Sequence, residues 1–169
     1  PPAELEAGGG LRWLRPHEVR PPLRLFARGS APKGGANVVQ GRLEDCNFVV
    51  AVALLANSAH CVELLRQVLP SYDPEAGRCL ARFFLDGRWQ DVEVDTRIPC
   101  LDGAPAFSRS RDGSEAYMCL LEKAYAKAYG GYPAIRGGHA AEVLQDLTGA
   151  PVEEVRVAGG GGGGGCAAG

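Results

Sequence analysis

One cysteine stands where a polar loop gives way to a long apolar run. Residues 40–48 read QGRLEDCNF, and residues 49–56 read VVAVALLA. The pattern predicts a helix from about Cys46 to Asn57, apolar nearly all round and therefore buried. The first turn of a helix carries unpaired backbone N–H groups that lower the pKa of a thiol, so Cys46 is a candidate nucleophile. Position alone is better explained by a small residue that begins a helix.

Gln40 supplies a second functional group six residues before Cys46, next to Gly41. A side-chain amide that reaches back beside the sulfur could donate a hydrogen bond to an oxyanion that develops during acyl transfer. The two residues would then form the nucleophile and oxyanion part of a thiol hydrolase site. The alternative is a glutamine in a surface loop.

The general base of such a site is not evident in the sequence. A thiol protease needs a histidine to accept the thiol proton and an Asn or Asp to orient it. The chain has three histidines. His17 lies in the N-terminal arm, and His60 lies beyond the first predicted helix, about 20 Å from Cys46 at the helical rise per residue. His139 is at a loop position, where we expect a surface or capping role.

Composition limits the class of protein. The 169 residues suffice for one domain with a substantial core, and the net charge of −2 argues against a nucleic acid or an anionic membrane as the main partner. The longest apolar run is about half of the roughly 18 residues that a membrane span needs. No CxxC or zinc-ligand spacing and no secretory signal is visible, so we expect reduced thiols and a cytoplasmic location.

The remaining pattern predicts an α+β fold. Further helices are expected at 59–68, from Glu115 to Ala128 with Ser114 as the N-cap, and at 140–146. Residues 78–95 are expected to form a β-hairpin, with Asp86-Gly87 as the turn.

The same reading divides the chain into three parts. Residues 1–10 are expected to be disordered, and 158–169 to be a Gly-rich flexible tail. Between them, residues 11–20 should pack as an arm against the domain, whereas 27–37 and 96–113 are expected to be loops.

Several stretches together resemble the calpain family of cysteine proteases, which shares the papain-like architecture. QGRLEDCNF is similar to the family's nucleophile motif QGxLGDCWF, and SEAYMCLLEKAYAKAYGGY is similar to its helix segment with LLEKAYAK. LRWLRPHEV, GRWQDVEVDTRIP and EVLQDLTGA match other family segments in the same order. The resemblance covers residues 11–157, and its wording is most similar to the plant-type calpains (phytocalpains) or the small-optic-lobes type.

The resemblance implies the Cys-bearing, mainly helical half of a papain-like α+β fold, with a β-hairpin. Within it, Cys46 matches the nucleophile and Gln40 the oxyanion-hole glutamine. Glu115 and Asn37 match ligands of a Ca²⁺ site. Asn37 stands where the family has an aspartate, a change that should weaken Ca²⁺ binding. The alternative role of Glu115 is a first-turn acid that complements the helix dipole.

The function implied is that of a calcium-dependent endopeptidase for intracellular limited proteolysis of protein substrates. The family's catalytic His and Asn belong to a second half-domain beyond residue 169, so this chain alone is expected to be inactive. Glu44, Asn47 and Tyr117 replace a Gly and two Trp of the family. These departures support the alternative of a non-catalytic regulatory or protein-binding module. LLEKAYAK disfavours an unrelated thiol enzyme such as a transglutaminase-like protein.

Overall fold

The computed structural model describes residues 10–26, 37–57, 59–153 and 155, without the side chains of 59–62. The predicted disordered segment, apart from Gly10, the loop before Asn37 and the Gly-rich tail lie outside these ranges. The described elements are β1 (Arg12–Leu14), β2 (Val38–Val39), α1 (Cys46–Ala56), α2 (Ala59–Val68), β3 (Ser71–Asp73), β4 (Arg78–Leu85), β5 (Arg88–Asp95), β6 (Ile98–Leu101), β7 (Ala104–Pro105), β8 (Arg109–Ser110), α3 (Tyr117–Ala128), a 3₁₀ helix (Tyr132–Ile135) and α4 (Ala140–Thr148).

The strands form small antiparallel sheets around the helices, in the orders β1-β6-β7, β2-β8 and β3-β4-β5. The predicted hairpin is confirmed as β4 and β5, where Leu85 pairs with Arg88. Asp86 and Gly87 both take positive φ, 52° and 74°, as a two-residue hairpin turn requires. Helices and antiparallel strands together confirm the predicted α+β class.

The first helix begins at Cys46, as predicted, but it is not buried all round. Phe48, Val52 and Leu55 lie in the core, whereas Val50 is 47% and Leu54 56% exposed. The expectation of a helix buried on every side is therefore wrong for one face. The sequence alone cannot show this, because the buried and the exposed positions of this helix both carry apolar residues.

An aromatic cluster fixes α1 against the rest of the domain. Phe48 of α1 stacks on Tyr125 of α3 with ring centroids 5.2 Å apart, and Phe83 of β4 meets the same tyrosine at 5.5 Å. All three rings are buried. Because these contacts join three elements, they set the position of α1 relative to the hairpin and to α3.

The predicted start of α3 is wrong by two residues. The helix begins at Tyr117, and Ala116 rather than Ser114 is its N-cap. Residues 114–116 run beside Arg24: the Arg24 N–H donates to the Ser114 carbonyl at 3.0 Å, and the Ala116 N–H donates to the Arg24 carbonyl at 2.8 Å. This bridge holds Glu115 in extended backbone, so its alternative role as a first-turn acid is also excluded.

The region 96–113 is not a continuous loop, because it contains β6, β7 and β8. These strands are two to four residues long, too short for alternation to reveal them. β1 pairs with β6, with Trp13 opposite Pro99, which confirms that the N-terminal arm packs on the domain. α2 is found where it was predicted, and α4 extends two residues further, to Thr148. No helix within the described ranges combines the length and apolar character that crossing a membrane would need.

Candidate active site

Cys46 is a partly exposed cysteine outside any disulfide, on the first turn of α1. The preceding residue, Asp45, begins the helix through its backbone, since its carbonyl accepts the N–H groups of Phe48 at 2.9 Å and Val49 at 3.1 Å. Glu44 takes φ 60°, the left-handed region in which a glycine is unstrained. The Gly that the family motif has here is thus explained by backbone geometry, and Glu44 occupies the same turn at a conformational cost.

The other described cysteines are poor candidates for nucleophilic chemistry. Cys79, Cys100 and Cys119 are buried, and burial raises the thiol pKa of Cys79 and of Cys100 to about 11. Burial raises the pKa of Cys119 well above its usual value, and its thiol donates to the Ser108 carbonyl at 3.0 Å. A thiol held in the protonated form is a weak nucleophile. Cys46 therefore differs from these three in accessibility and in place.

The loop that carries Gln40 is packed tightly against the segment before β8. A Cβ added to Gly41 would lie 2.1 Å from the Phe107 carbonyl oxygen and 2.5 Å from that of Ala106. The next residue is tied to the same segment, since the Arg42 N–H donates to the Ala106 carbonyl at 3.0 Å. The glycine of the QG motif is therefore required by close backbone approach.

Gln40 itself is half-buried and lines an open cavity of about 370 Å³ with Arg42, Asp102 and Arg109. Cys46 does not line this cavity. The structure accounts for the path of the loop between Gln40 and Cys46. The joint role of the two side chains in an oxyanion site stays a prediction.

Two buried carboxyl groups meet next to Cys46. Asp45 is 0% and Glu122 1% exposed, and the two carboxyl groups lie close enough for each to affect the pKa of the other. The Ser108 N–H donates to both oxygens of Glu122, at 3.0 and 3.3 Å. Sequence reasoning missed this pair. The available signal was Glu122 itself, a charged residue on the buried face of α3 among Met118 and Leu121.

Asn37 and Glu115, the two predicted Ca²⁺ ligands, lie side by side. The Asn37 amide nitrogen donates to Glu115 Oε2 at 3.0 Å and to Asp112 Oδ1 at 3.3 Å. The Asp112 N–H in turn donates to the Asn37 amide oxygen at 3.3 Å. Asp112 was not anticipated, because its carboxylate reaches the cluster only through the turn after β8.

The side chains of this cluster are of the chemical type that binds a hard cation. Two carboxylates and one amide offer oxygen atoms, the ligands that Ca²⁺ takes. In the geometry described, the amide nitrogen of Asn37 lies between the carboxylates, so Ca²⁺ would require the amide to turn its oxygen inward. Within the described ranges, no three His, Cys, Asp or Glu side chains come together as a metal site.

The structure describes the side chains of two of the three histidines. His17 and His139 are exposed, and His139 is the N-cap of α4, where its backbone carbonyl accepts the Glu142 N–H at 3.2 Å. The side chain of His60 lies outside the description. Asn47 is buried against Gly138, where an added Cβ would be 3.0 Å from the Asn47 amide nitrogen. The departure from Trp at position 47 thus places an amide inside the protein.

Comparison with known proteins gives a consistent result. The family model described as "Calpain family cysteine protease" matches residues 3–160. Calpain-type cysteine protease ADL1 of Oryza sativa subsp. japonica is 40% identical over 147 residues, which cover 85% of this chain and 7% of that protein. Calpain-5 of Caenorhabditis elegans is 39% identical, covering 91% of this chain and 24% of that protein. Calpain-10 of Macaca fascicularis is 39% identical, covering 88% and 23%. The chain spans less than a quarter of the length of these relatives.

Proposed function

Because this chain belongs to the calpain family of cysteine proteases, we propose that it is the nucleophile-bearing part of a calpain-type endopeptidase. The observation that carries the proposal is Cys46, a partly exposed thiol at the N-terminus of a helix that aromatic packing holds in place. The other described thiols are buried, and burial raises their pKa. The proposed site is part of a papain-like fold in the cytoplasm, acting in limited proteolysis of protein substrates.

The proposed chemistry is acyl transfer to Cys46. Its sulfur, after losing the thiol proton to a histidine, forms a bond to the carbonyl carbon of the substrate peptide, and the carbonyl oxygen becomes an oxyanion. Gln40 and the Cys46 backbone N–H are the proposed donors to that oxyanion. The amine then leaves with a proton from the histidine, and water releases the acyl group.

The proposed partner is the second half-domain, which would carry the catalytic His and Asn. The exposed apolar residues of α1 support this, because Val50 and Leu54 follow Cys46 at intervals of four and therefore share its face. A half-domain that brings a histidine to Cys46 would cover this face. Removing two large apolar side chains from water would favour the association.

Joining this chain to a calpain half-domain that carries the catalytic His and Asn should give cleavage of casein. We expect Cys46→Ala to abolish that cleavage, because the bond to the substrate carbon forms on sulfur. The matched control is Cys79→Ala, which removes a buried thiol and should leave activity in the joined protein. A joined, folded protein that does not cleave casein, or whose Cys46→Ala variant still does, contradicts the proposal.

Leu54→Asp should weaken association with the His-bearing half at least tenfold while leaving the melting temperature of this chain within about 2 °C. The reason is that Leu54 is 56% exposed here and contributes little to this chain's own core. Isothermal titration of the two separate halves measures the effect. Val152→Asp, a change at another exposed apolar residue, is the control and should bind like the unchanged chain. Equal affinities for the two variants would exclude the α1 face as the contact.

Calcium dependence is a further part of the proposal. Glu115, Asp112 and Asn37 would hold Ca²⁺ together with ligands from the preceding loop, and the cation would neutralise the adjacent carboxylates. Their mutual contacts support this. In the family, Ca²⁺ brings the two halves together, a form of gating by domain closure.

The second candidate is a calpain-like binding module without catalysis. It is favoured by Asn47, whose amide is turned into the protein where the family has a tryptophan, and by the strained Glu44. In that case Cys46 would alkylate no faster at pH 6 than a model thiol, whose pKa is about 8.5. Peptide-resolved alkylation rates separate the two functions.

A further inference from the structure

The carboxyl groups of Asp45 and Glu122 can meet only if they share a proton. Two ionised carboxylates in contact repel each other strongly in a buried site. The Ser108 N–H already donates to Glu122. Both side-chain oxygens of Asp45 are buried, and no hydrogen bond to either of them is found among the described residues. A protonated Glu122 beside them would supply a donor. Burial raises the pKa of both groups, that of Glu122 well above its usual value.

The anchored aspartate is also the residue that begins α1. Its backbone carbonyl accepts the N–H groups of Phe48 and Val49, and Cys46 is its direct neighbour. A side chain held by Glu122 therefore fixes the backbone from which the first turn starts. If the anchor were lost, the Asp45 carboxylate would have to reach water, and the carbonyl would move with it.

We propose that Glu122 is a positioning residue for Cys46: its carboxyl O–H donates to Asp45 and so holds the first turn of α1 and the thiol on it. The inference rests on the proposed role of Cys46 as the nucleophile. Glu122 does not touch the substrate in this scheme, and its effect reaches the sulfur through Asp45.

The described groups that face Asp45 and Glu122 do not replace the proton that the two carboxyl groups would share. The Cys119 thiol and the Tyr132 hydroxyl face it from α3 and the 3₁₀ helix, and burial raises the pKa of both, so they stay neutral. The Ser108 N–H faces it from the loop before β8. Further out, the positive charge of Arg109 acts to lower the pKa of Cys119, and the negative charge of Asp95 acts to raise that of Tyr132.

The proposal predicts that the first turn of α1 becomes less stable as the pH rises. Glu122 is more easily protonated in the closed pair than when exposed, so the pair contributes its full stability below about pH 4.5 and loses it as the pH rises through the raised value. Opening of the first turn should therefore become easier as the pH increases above 5, by up to tenfold per pH unit.

Two variants of this chain separate the proton from the packing. Glu122→Gln keeps an acceptor for Ser108 and a donor for Asp45, but the donor cannot ionise. Glu122→Leu keeps the volume and removes the donor. Hydrogen exchange of the Phe48 and Val49 amides reports the first turn, and the Leu147 amide in α4 is the internal reference. Alkylation of Cys46 by iodoacetamide, resolved by peptide, reports the thiol.

At pH 5, we expect the Phe48 and Val49 amides of the Glu122→Gln variant to exchange at the same rate as those of the unchanged chain. At pH 8, these amides should exchange at least tenfold more slowly in the variant than in the unchanged chain. The Leu variant should lose protection of these two amides at least tenfold at both pH values and alkylate Cys46 at least threefold differently, with Leu147 unchanged. Equal behaviour of the Leu and unchanged chains, or a Gln variant that follows pH as the unchanged chain does, overturns the proposal.

The test depends neither on the folding of a single variant nor on catalysis. If Glu122→Leu does not fold, Asp45→Asn supplies the donor from the other side and should likewise remove the rise in exchange above pH 5; persistence of the rise in that variant overturns the proposal. The exchange measurement needs no catalysis. A joined protein that fails to cleave casein while the exchange results hold refutes the proposed function and leaves the pair intact.

Discussion

Gly41→Ala should lower the free energy of unfolding by about 3 kcal/mol, because the added methyl group overlaps the backbone of a neighbouring segment. The added carbon would lie 2.1 Å from a backbone oxygen of Phe107, which cannot rotate away as a side chain can. The Phe107 ring is fixed in turn by Tyr132, 4.7 Å away between centroids. The loop before α1 must therefore move. Urea unfolding monitored by circular dichroism measures the loss.

Gly10→Ala is the matched control for this change. A Cβ at Gly10 would meet only the Leu101 side chain, at 3.5 Å, an ordinary contact, and neither glycine requires positive φ. The control should stay within about 0.5 kcal/mol of the unchanged chain. Equal unfolding midpoints for the two variants would show that the contact between Gly41 and Phe107 does not exist in solution.

The same substitution has a functional consequence under the proposed mechanism. The displaced loop carries Gln40, so an oxyanion donor should move as well, and removing one such donor typically lowers kcat by 10² or more. In the joined protein, Gly41→Ala should therefore reduce casein cleavage at temperatures where the variant is still folded. Cleavage at the rate of the Gly10→Ala control would argue against Gln40 as a donor.

Local signals account for the parts of the fold that the sequence predicts correctly. The β4–β5 hairpin is predicted because Asp86 and Gly87 define its turn, and α1 because nine consecutive apolar residues follow a polar loop. Both depend on residues close together in the chain. The family resemblance adds the roles proposed for Cys46 and Gln40, which no periodicity can supply.

The errors arise where distant segments decide the structure. The sequence pattern predicts Glu115 in a helix, but backbone pairing with Arg24 keeps it extended. Nothing in the local pattern around Asp45 indicates its neighbour Glu122, which lies on α3. The sequence pattern predicts that Val50 and Leu54 are buried, but both are exposed in the structure. For Glu115 and Asp45 the neighbouring residue is far along the chain, so the local pattern carries no information about it.

The candidate Ca²⁺ site likewise combines residues that a motif predicts with one that only the fold reveals. Asn37 and Glu115 were identified through the family motif, and their contact supports that pairing. Asp112 completes the cluster without any motif, because a turn after β8 brings it there. A Ca²⁺ site built from several loops therefore requires the fold to be known before its ligands can be counted.

Asn37→Asp should have opposite effects with and without Ca²⁺. Without the ion, the change removes the N–H donors to Glu115 and Asp112 and adds a third carboxylate, so we expect a loss of about 2 kcal/mol. With Ca²⁺ at 100 times its Kd, binding should return about 2.7 kcal/mol. Thermal unfolding with EDTA and with millimolar CaCl₂ measures both. Asn47→Asp, at a buried amide away from the cluster, should be destabilised in both conditions. If Ca²⁺ fails to restore the Asn37→Asp variant, or restores both variants equally, these residues do not hold the ion.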